Sequence, residues 1–145
     1  MVSLVDTNIL VYCFDSRALA KRAAARELLR RGAAEKTIRV PHQALIEFVS
    51  VVTRSVRGTP LLPLQEATQQ AEGFMAEFPV LYPNDQLFRA ALRGMAAYHL
   101  SWFDAHLWAY AEHYGIPEIL SEDFEHGRMY GTVTMRNPFV ALGLT

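Results

Sequence analysis

The sequence predicts an α/β fold, in which short buried strands alternate with helices and assemble into a parallel sheet with helices on both faces. Apolar runs at 2–5, 37–40 and 79–82 are each followed by polar residues and then by a helical pattern. Apolar residues make up 51% of the 145-residue chain and charged residues 20%, a composition typical of folded rather than disordered chains. We therefore expect one domain over residues 1–145.

The first half of the chain contains two predicted strands and three predicted helices. Gly32 is expected to end the second helix, because glycine is favoured just past a helix C-terminus. Pro41 suits the opening of the third helix, where its missing N–H costs nothing. The predicted strands are 2–5 and 37–40, and the predicted helices are 7–14, 17–31 and 41–54.

The second half continues the alternation. Asn84 or Asp85 is expected to cap one helix, and Gly115 with Pro117 beyond it is expected to end the next. The predicted strands are 79–82, 118–120 and, as a candidate fifth strand, 132–134. The predicted helices are 63–76, 84–98 and 101–115.

Four acidic residues lie within or beside apolar segments, at Asp6, Glu47, Asp104 and Asp123. Each has a simple structural interpretation: Asp6 as a helix cap, Glu47 on a solvated helix edge, Asp104 in a capping box opened by Ser101, and Asp123 as a loop acid. However, Asp6 and Asp123 follow predicted strands. Because parallel strands end at one edge of a sheet, we expect these two carboxylates to lie together where α/β sheets bind ligands.

A cluster of carboxylates needs a cation, because two like charges about 4 Å apart repel by roughly 4 kcal/mol at an effective dielectric of 20. An all-oxygen ligand set selects hard ions such as Mg²⁺ or Mn²⁺ over zinc or copper. A metal held by Asp6, Glu47, Asp104 and Asp123 would suit phosphodiester cleavage. The sequence therefore predicts a metal-dependent nuclease site.

The formal net charge is −1, which provides no overall attraction for nucleic acid. Contact with RNA must then depend on bound metal and on local positive charge. Arg54 and Arg57 follow the helix that contains Glu47, and Arg128 follows Asp123. We expect these three arginines to contact phosphates.

Several other classes of site are not indicated. The sequence has no G-x-S-x-G, P-loop, G-x-G-x-x-G or H-E-x-x-H motif, which removes the usual signs of acyl transfer, nucleotide binding and zinc hydrolysis. The single cysteine, Cys13, excludes an internal disulfide and is expected to be a buried apolar residue. No signal peptide and no apolar run of about 18 residues is visible, so we expect a cytoplasmic protein.

Four sequence blocks resemble the PIN-domain ribonucleases and, within them, the VapC-like toxins of bacterial toxin–antitoxin pairs. The similarity extends over essentially the whole chain and also includes the ending Asn137-Pro138-Phe139. The blocks are Asp6-Thr7-Asn8-Ile9-Leu10, Gln43 with Glu47, Ser101-Trp102-Phe103-Asp104-Ala105, and Leu120-Ser121-Glu122-Asp123-Phe124.

The resemblance implies a three-layer PIN-like fold with a central parallel sheet of four or five strands. It implies that Asp6, Glu47, Asp104 and Asp123 bind Mg²⁺ or Mn²⁺ and catalyse cleavage of RNA. Thr7, Asn8 and Ser121 would orient those carboxylates by hydrogen bonds. It further implies a homodimer that is inhibited by a cognate antitoxin.

Two other functions remain open at this point. An aspartyl-phosphate phosphatase or phosphotransferase also places Asp after the first strand, but it usually has a second Asp where this chain has Asn8. A non-catalytic PIN-like module that binds RNA or protein would not need all four acids. Metal binding and RNA cleavage would distinguish these functions from a ribonuclease.

The aromatic residues give a further expectation. Trp102 and Phe103 are interpreted as core or interface residues rather than as base-stacking residues. Together with Phe74, Phe78 and Tyr98, Trp102 belongs to a surplus of aromatic side chains that we assign to a dimer or antitoxin interface. The role of His106, which lies near the predicted site, is not settled by the sequence.

Overall fold

The computed structural model describes residues 1–55 and 58–144, and within these residues a six-stranded sheet is flanked by helices. The strands are β1 (Ser3–Val5), β2 (Ile38–Pro41), β3 (Val80–Leu81), β4 (Glu118–Leu120), β5 (Met129–Tyr130) and β6 (Val133–Arg136). The helices are α1 (Thr7–Tyr12), α2 (Leu19–Glu35), α3 (His42–Thr53), α4 (Leu64–Glu77), α5 (Asp85–Tyr98) and α6 (Trp102–Tyr114), and a short 3₁₀ helix follows at Val140–Leu142.

The predicted α/β class is confirmed. The strand order is β3-β2-β1-β4-β6-β5, and the five strands from β3 to β6 in this order pair in parallel. The two-residue strand β5 was not predicted. It pairs antiparallel to β6 across a tight turn at Gly131, which has a positive φ of 61°.

Gly32 does not end the second helix, as the sequence had suggested. Helix α2 continues to Glu35 and ends at Lys36, which adopts a left-handed φ of 58°. Gly32 instead lets α2 approach β2, because a Cβ built on it would lie 2.1 Å from Cγ1 of Ile38. The glycine is thus needed for close packing of the helix on the sheet.

Two apolar clusters lie on the two faces of the sheet. Adjacent residues of a strand point to opposite faces, and accordingly Val5 belongs to a cluster with α1 to α4, whereas Leu4 belongs to a cluster with α5 and α6. Phe74 and Phe78 are 7% and 4% exposed in the first cluster, so their assignment to an interface was wrong. Cys13 is a free, buried cysteine in the same cluster, as expected.

The topology places the carboxyl ends of β1, β2, β3 and β4 at one edge of the sheet. Val5 of β1 is in register with Leu120 of β4, and the backbone N–H of Asp6 donates to the carbonyl of Leu120 over 3.0 Å. The residues that follow the two central strands, Asp6 and Ser121, are therefore neighbours. Within the described part of the chain, no helix is both long and apolar enough to cross a membrane.

A pair of glycine substitutions tests the packing of α2. Gly32→Ala should destabilise the protein by about 1–3 kcal/mol, because the new methyl group overlaps Ile38 in a packed core. Gly73→Ala, at an exposed position of helix α4 with nothing within 4 Å of the added Cβ, should stabilise it by about 0.5–1 kcal/mol. Urea unfolding measures both. Equal effects of the two substitutions would contradict this account of Gly32.

Candidate active site

A pocket of about 370 Å³ lies at the carboxyl edge of the sheet, and all four predicted acids line it. Asp6 enters from the end of β1, Asp123 from the loop after β4, Glu47 from α3 and Asp104 from the first turn of α6. The fold thus gathers residues from four separate parts of the chain. The other lining residues include Gln43, Arg54 and Phe103.

Asp6 is the most enclosed of the four acids, at 8% exposed. It caps α1, since its Oδ1 accepts from the backbone N–H of Thr7 over 2.7 Å. Its Oδ2 accepts from the hydroxyl of Ser121 over 2.7 Å. The capping interpretation and the pocket interpretation therefore both hold for this residue.

The environment of Asp6 raises the pKa of its carboxyl group from 3.8 to about 6. Burial is the largest cause, because removing water penalises the charged form. The hydrogen bonds from Ser121 and Thr7 lower the pKa, whereas the negative charges of Asp123 and Glu47 raise it. The acids in the pocket are thus close enough to repel one another.

Glu47 is held by one hydrogen bond at each carboxylate oxygen. The hydroxyl of Thr7 donates to its Oε2 over 2.8 Å, and the side-chain amide of Gln43 donates to its Oε1 over 2.9 Å. Gln43 lies one helical turn before Glu47 on α3, so the two side chains share a face. The contact with Thr7 joins α3 to the first turn of α1.

Asn8 and Ser121 connect the two acids that follow the strands. The Nδ2 of Asn8 donates to Asp123 Oδ2 over 3.1 Å and to Ser121 Oγ over 3.2 Å. The Ser121 hydroxyl also accepts from the backbone N–H of Asp123 over 3.0 Å. One serine therefore contacts Asp6 and the loop that contains Asp123.

Asp104 lies in the first turn of α6, where Ser101 is the N-cap. The hydroxyl of Ser101 accepts from the backbone N–H of Asp104 over 3.2 Å. The pKa of the Asp104 carboxyl is raised, chiefly by burial and further by the charges of Asp123 and Glu47, although Ser101 opposes the shift. Asp104 thus takes part in the helix start and also experiences the negative field of the pocket.

The donor chemistry of the pocket fits a hard divalent cation. Four carboxylates line it, and two buried amide oxygens beside it, Asn8 Oδ1 and Gln43 Oε1, have no hydrogen-bond partner among the residues that the structure describes. Within residues 1–55 and 58–144, however, no three His, Cys, Asp or Glu side chains are spaced as a ready-made metal site. Mg²⁺ does not require one, since it usually keeps several waters and binds one or two carboxylates directly.

The three predicted phosphate-binding arginines differ in position. Arg54 is exposed and lines the pocket. Arg128 does not line it; its guanidinium lies 3.5 Å from Glu125 and 4.9 Å from the ring centroid of Tyr130. Arg57 lies outside the described residues.

Some neighbouring residues have roles that the sequence did not indicate. His106 stacks on Trp102, with ring centroids 5.7 Å apart, and is not among the residues that line the acidic pocket. Glu122, next to Asp123, binds Tyr12 over 2.5 Å and Lys21 over 2.9 Å, which ties the loop after β4 to α1 and α2. The contacts of Glu122 join residues that are distant in sequence, so spacing alone gave no sign of them, whereas Trp102 and His106 are four residues apart on one helix face.

A protein-family model identifies the family to which this chain belongs. A model described as the PIN domain matches residues 3–131, a range that includes all four acids. The chain belongs to the PIN-domain family. No curated protein matches it.

Solved structures of VapBC systems share the fold of this PIN-domain chain. VapC20 of Mycobacterium tuberculosis, described as a sarcin–ricin-loop-cleaving toxin, is 17% identical, with a TM-score of 0.63 over 99% of this chain and 96% of that one. VapBC2 of Rickettsia felis, bound to a promoter DNA fragment, is 13% identical, with a TM-score of 0.71 over 94% of this chain and 98% of that one. A toxin–antitoxin complex from Klebsiella pneumoniae is 16% identical, with a TM-score of 0.67 over 94% and 97%. At these identities the similarity concerns the fold.

Proposed function

We propose that this PIN-domain protein is a Mg²⁺- or Mn²⁺-dependent endoribonuclease and the toxin of a toxin–antitoxin pair. The observation that supports the proposal best is the convergence of Asp6, Glu47, Asp104 and Asp123 on one pocket at the carboxyl edge of the sheet. The resemblance of VapC20, a sarcin–ricin-loop-cleaving toxin, supports RNA as the substrate.

In this proposal the four acids hold the metal, and their neighbours fix the orientation of the carboxylates. Thr7 and Gln43 fix both oxygens of Glu47, Ser121 fixes Asp6, and Asn8 fixes Asp123. When bound, a divalent cation would offset the charge of the phosphate and make a water molecule a better nucleophile. Because the pKa of Asp6 is about 6, this carboxylate is mainly ionised at neutral pH and available as a ligand.

The experiment is incubation of the purified protein with total cellular RNA in Mg²⁺, in Mn²⁺ and in EDTA, followed by sequencing of the new RNA ends. We expect discrete cuts with either metal and none in EDTA. A single-stranded DNA of the same sequence tests whether the protein cleaves RNA in preference to DNA. Cleavage that persists fully in EDTA would exclude the metal-dependent mechanism, and metal binding without cleavage would favour a non-catalytic module.

Arg54 is proposed to contact a phosphate of the RNA beside the pocket. Arg54→Ala should weaken binding of all RNA sequences and lower the slope of log affinity against log salt by about one unit. The control is Arg93→Ala, an exposed arginine on α5 that does not line the pocket, which should leave the slope unchanged. An unchanged slope for Arg54→Ala would contradict the proposal that Arg54 contacts a phosphate.

We also propose that the protein forms a homodimer and binds an antitoxin. Phe88, Leu92 and Met95 of α5 are 48%, 48% and 36% exposed, and their spacing places them on one helix face. An exposed apolar stripe of this kind is typical of an interface. The Klebsiella pneumoniae structure is a toxin–antitoxin complex, which supports an antitoxin partner. A monomer at tens of micromolar, roughly where weak dimers still form, would contradict the dimer.

A further inference from the structure

Phe103 is an apolar ring exposed at a strongly acidic pocket. It is 66% exposed, more than any other aromatic side chain in the described residues, and it lines the pocket next to Asp104. Burial of a phenylalanine side chain normally contributes to stability, so an exposed one is not explained by folding. The position of the ring suggests contact with a ligand of the pocket.

The backbone of Phe103 is held in place relative to the acids. The side-chain amide of Gln43 donates to the carbonyl of Phe103 over 3.3 Å and to Glu47 over 2.9 Å, so one side chain bridges α6 and the carboxylate. Ser101 caps the same helical turn, and the neighbouring Ala105 is fully buried. The ring is therefore presented from a rigid helix start rather than from a loose loop.

The chemistry around the ring favours a nucleobase as its partner. Single-stranded RNA offers flat apolar base faces together with phosphates, and proteins bind such bases by stacking them on aromatic rings. The pocket supplies a matching set: an aromatic face at Phe103, a positive charge at Arg54, and carboxylates suited to a cation. A purely apolar protein segment would instead meet four acids beside the ring.

We propose that Phe103 stacks on a base of the single-stranded RNA next to the cleaved bond. This inference rests on the proposed ribonuclease function and specifies how the same site positions its substrate. Stacking on one ring tolerates every base, so Phe103 would contribute to affinity more than to sequence choice.

The test compares Phe103→Leu with Phe103→Trp on a short RNA that contains a site cut by the wild type. Leu keeps most of the apolar area but has no aromatic face, so KM should rise about 5-fold or more, which corresponds to the lower end of the loss of one base–aromatic stack. Phe103→Trp should keep both KM and kcat near the wild-type values, and in Phe103→Leu kcat should change less than KM. The matched control is Tyr82→Leu, at an aromatic residue that is 47% exposed and lies outside the pocket, and it should leave KM unchanged.

A direct reporter of stacking is the same RNA with 2-aminopurine beside the cut site, mixed rapidly with excess protein in Mg²⁺ and read before the RNA is cut. The wild type and Phe103→Trp should quench its fluorescence, whereas Phe103→Leu should not. Normal KM and normal quenching with Phe103→Leu would overturn the inference and leave the ribonuclease proposal intact. A reduced self-association of Phe103→Leu with unchanged KM would instead assign the ring to a contact between copies. Wild-type protein that quenches but never cleaves would overturn the proposed function alone.

Discussion

Replacing Asp6 with Asn should abolish RNA cleavage and should also change how the stability of the metal-free protein depends on pH. The loss of cleavage is expected to reach orders of magnitude, because a proposed metal ligand becomes a neutral amide at the most enclosed point of the pocket. The effect on stability follows from the raised pKa of Asp6, which has burial as its largest cause.

The sign of the stability effect is fixed by proton linkage. The folded protein binds the Asp6 proton with a pKa of about 6, whereas the unfolded chain releases it near 3.8. Between these values the folded state holds more protons, so the contribution of Asp6 to stability falls as pH rises and is lost above about 6. A shift of this size corresponds to about 3 kcal/mol. Asn has no such proton to lose.

The measurement is urea unfolding of both proteins in EDTA from about pH 4 to 7.5. The stability of Asp6→Asn minus that of the wild type should increase with pH across this window and level off above about pH 6. The amide also alters the hydrogen bonds to Thr7 and Ser121, and this adds an offset that does not vary with pH. A difference that stays constant with pH would contradict the raised pKa.

The sequence predicted that the acids which come after neighbouring strands lie together in the site. Asp6 and Asp123 were expected together because each follows a strand, and both line the pocket because β1 and β4 are parallel neighbours. Glu47 and Asp104 are different, since their convergence depends on how α3 and α6 pack on the sheet. The sequence suggested that they join Asp6 because each acid lies within or beside an apolar segment, and the resemblance to a family supported this grouping, but neither described the packing that brings them together.

The expectations that failed depended on contacts between distant segments. Glycine commonly ends helices, and Gly32 was interpreted in this way. Its actual role is to make room for Ile38 on a neighbouring strand. Phe78 was assigned to an interface because periodicity does not show how many aromatic side chains the core beneath α4 can bury. Phe103 was interpreted as a core or interface residue; its exposure of 66% excludes the core, and only the path of α6 shows that its ring lines the acidic pocket.

Asp104→Asn separates a structural role for this acid from a role in the metal site. If Asp104 only supports the start of α6, the substitution removes a favourable charge near a helix N-terminus and destabilises the protein by about 0.3–1 kcal/mol. If it belongs to the acidic cluster, the sign reverses in EDTA. The raised pKa of Asp104, caused by burial and by Asp123 and Glu47, means that the charged form is disfavoured in the folded protein. The neutral amide should then raise the melting temperature.

Metal addition and RNA cleavage complete the comparison. The stabilisation given by Mg²⁺ or Mn²⁺ should be smaller in Asp104→Asn than in the wild type, because it follows metal affinity, and cleavage should fall by orders of magnitude. The matched control is Ser101→Ala, which removes the N-cap of the same helix and should cost about 1 kcal/mol with or without metal while cleavage is retained. An Asp104→Asn protein that is destabilised in EDTA, yet keeps cleavage and the full metal-induced shift, would limit Asp104 to the helix start.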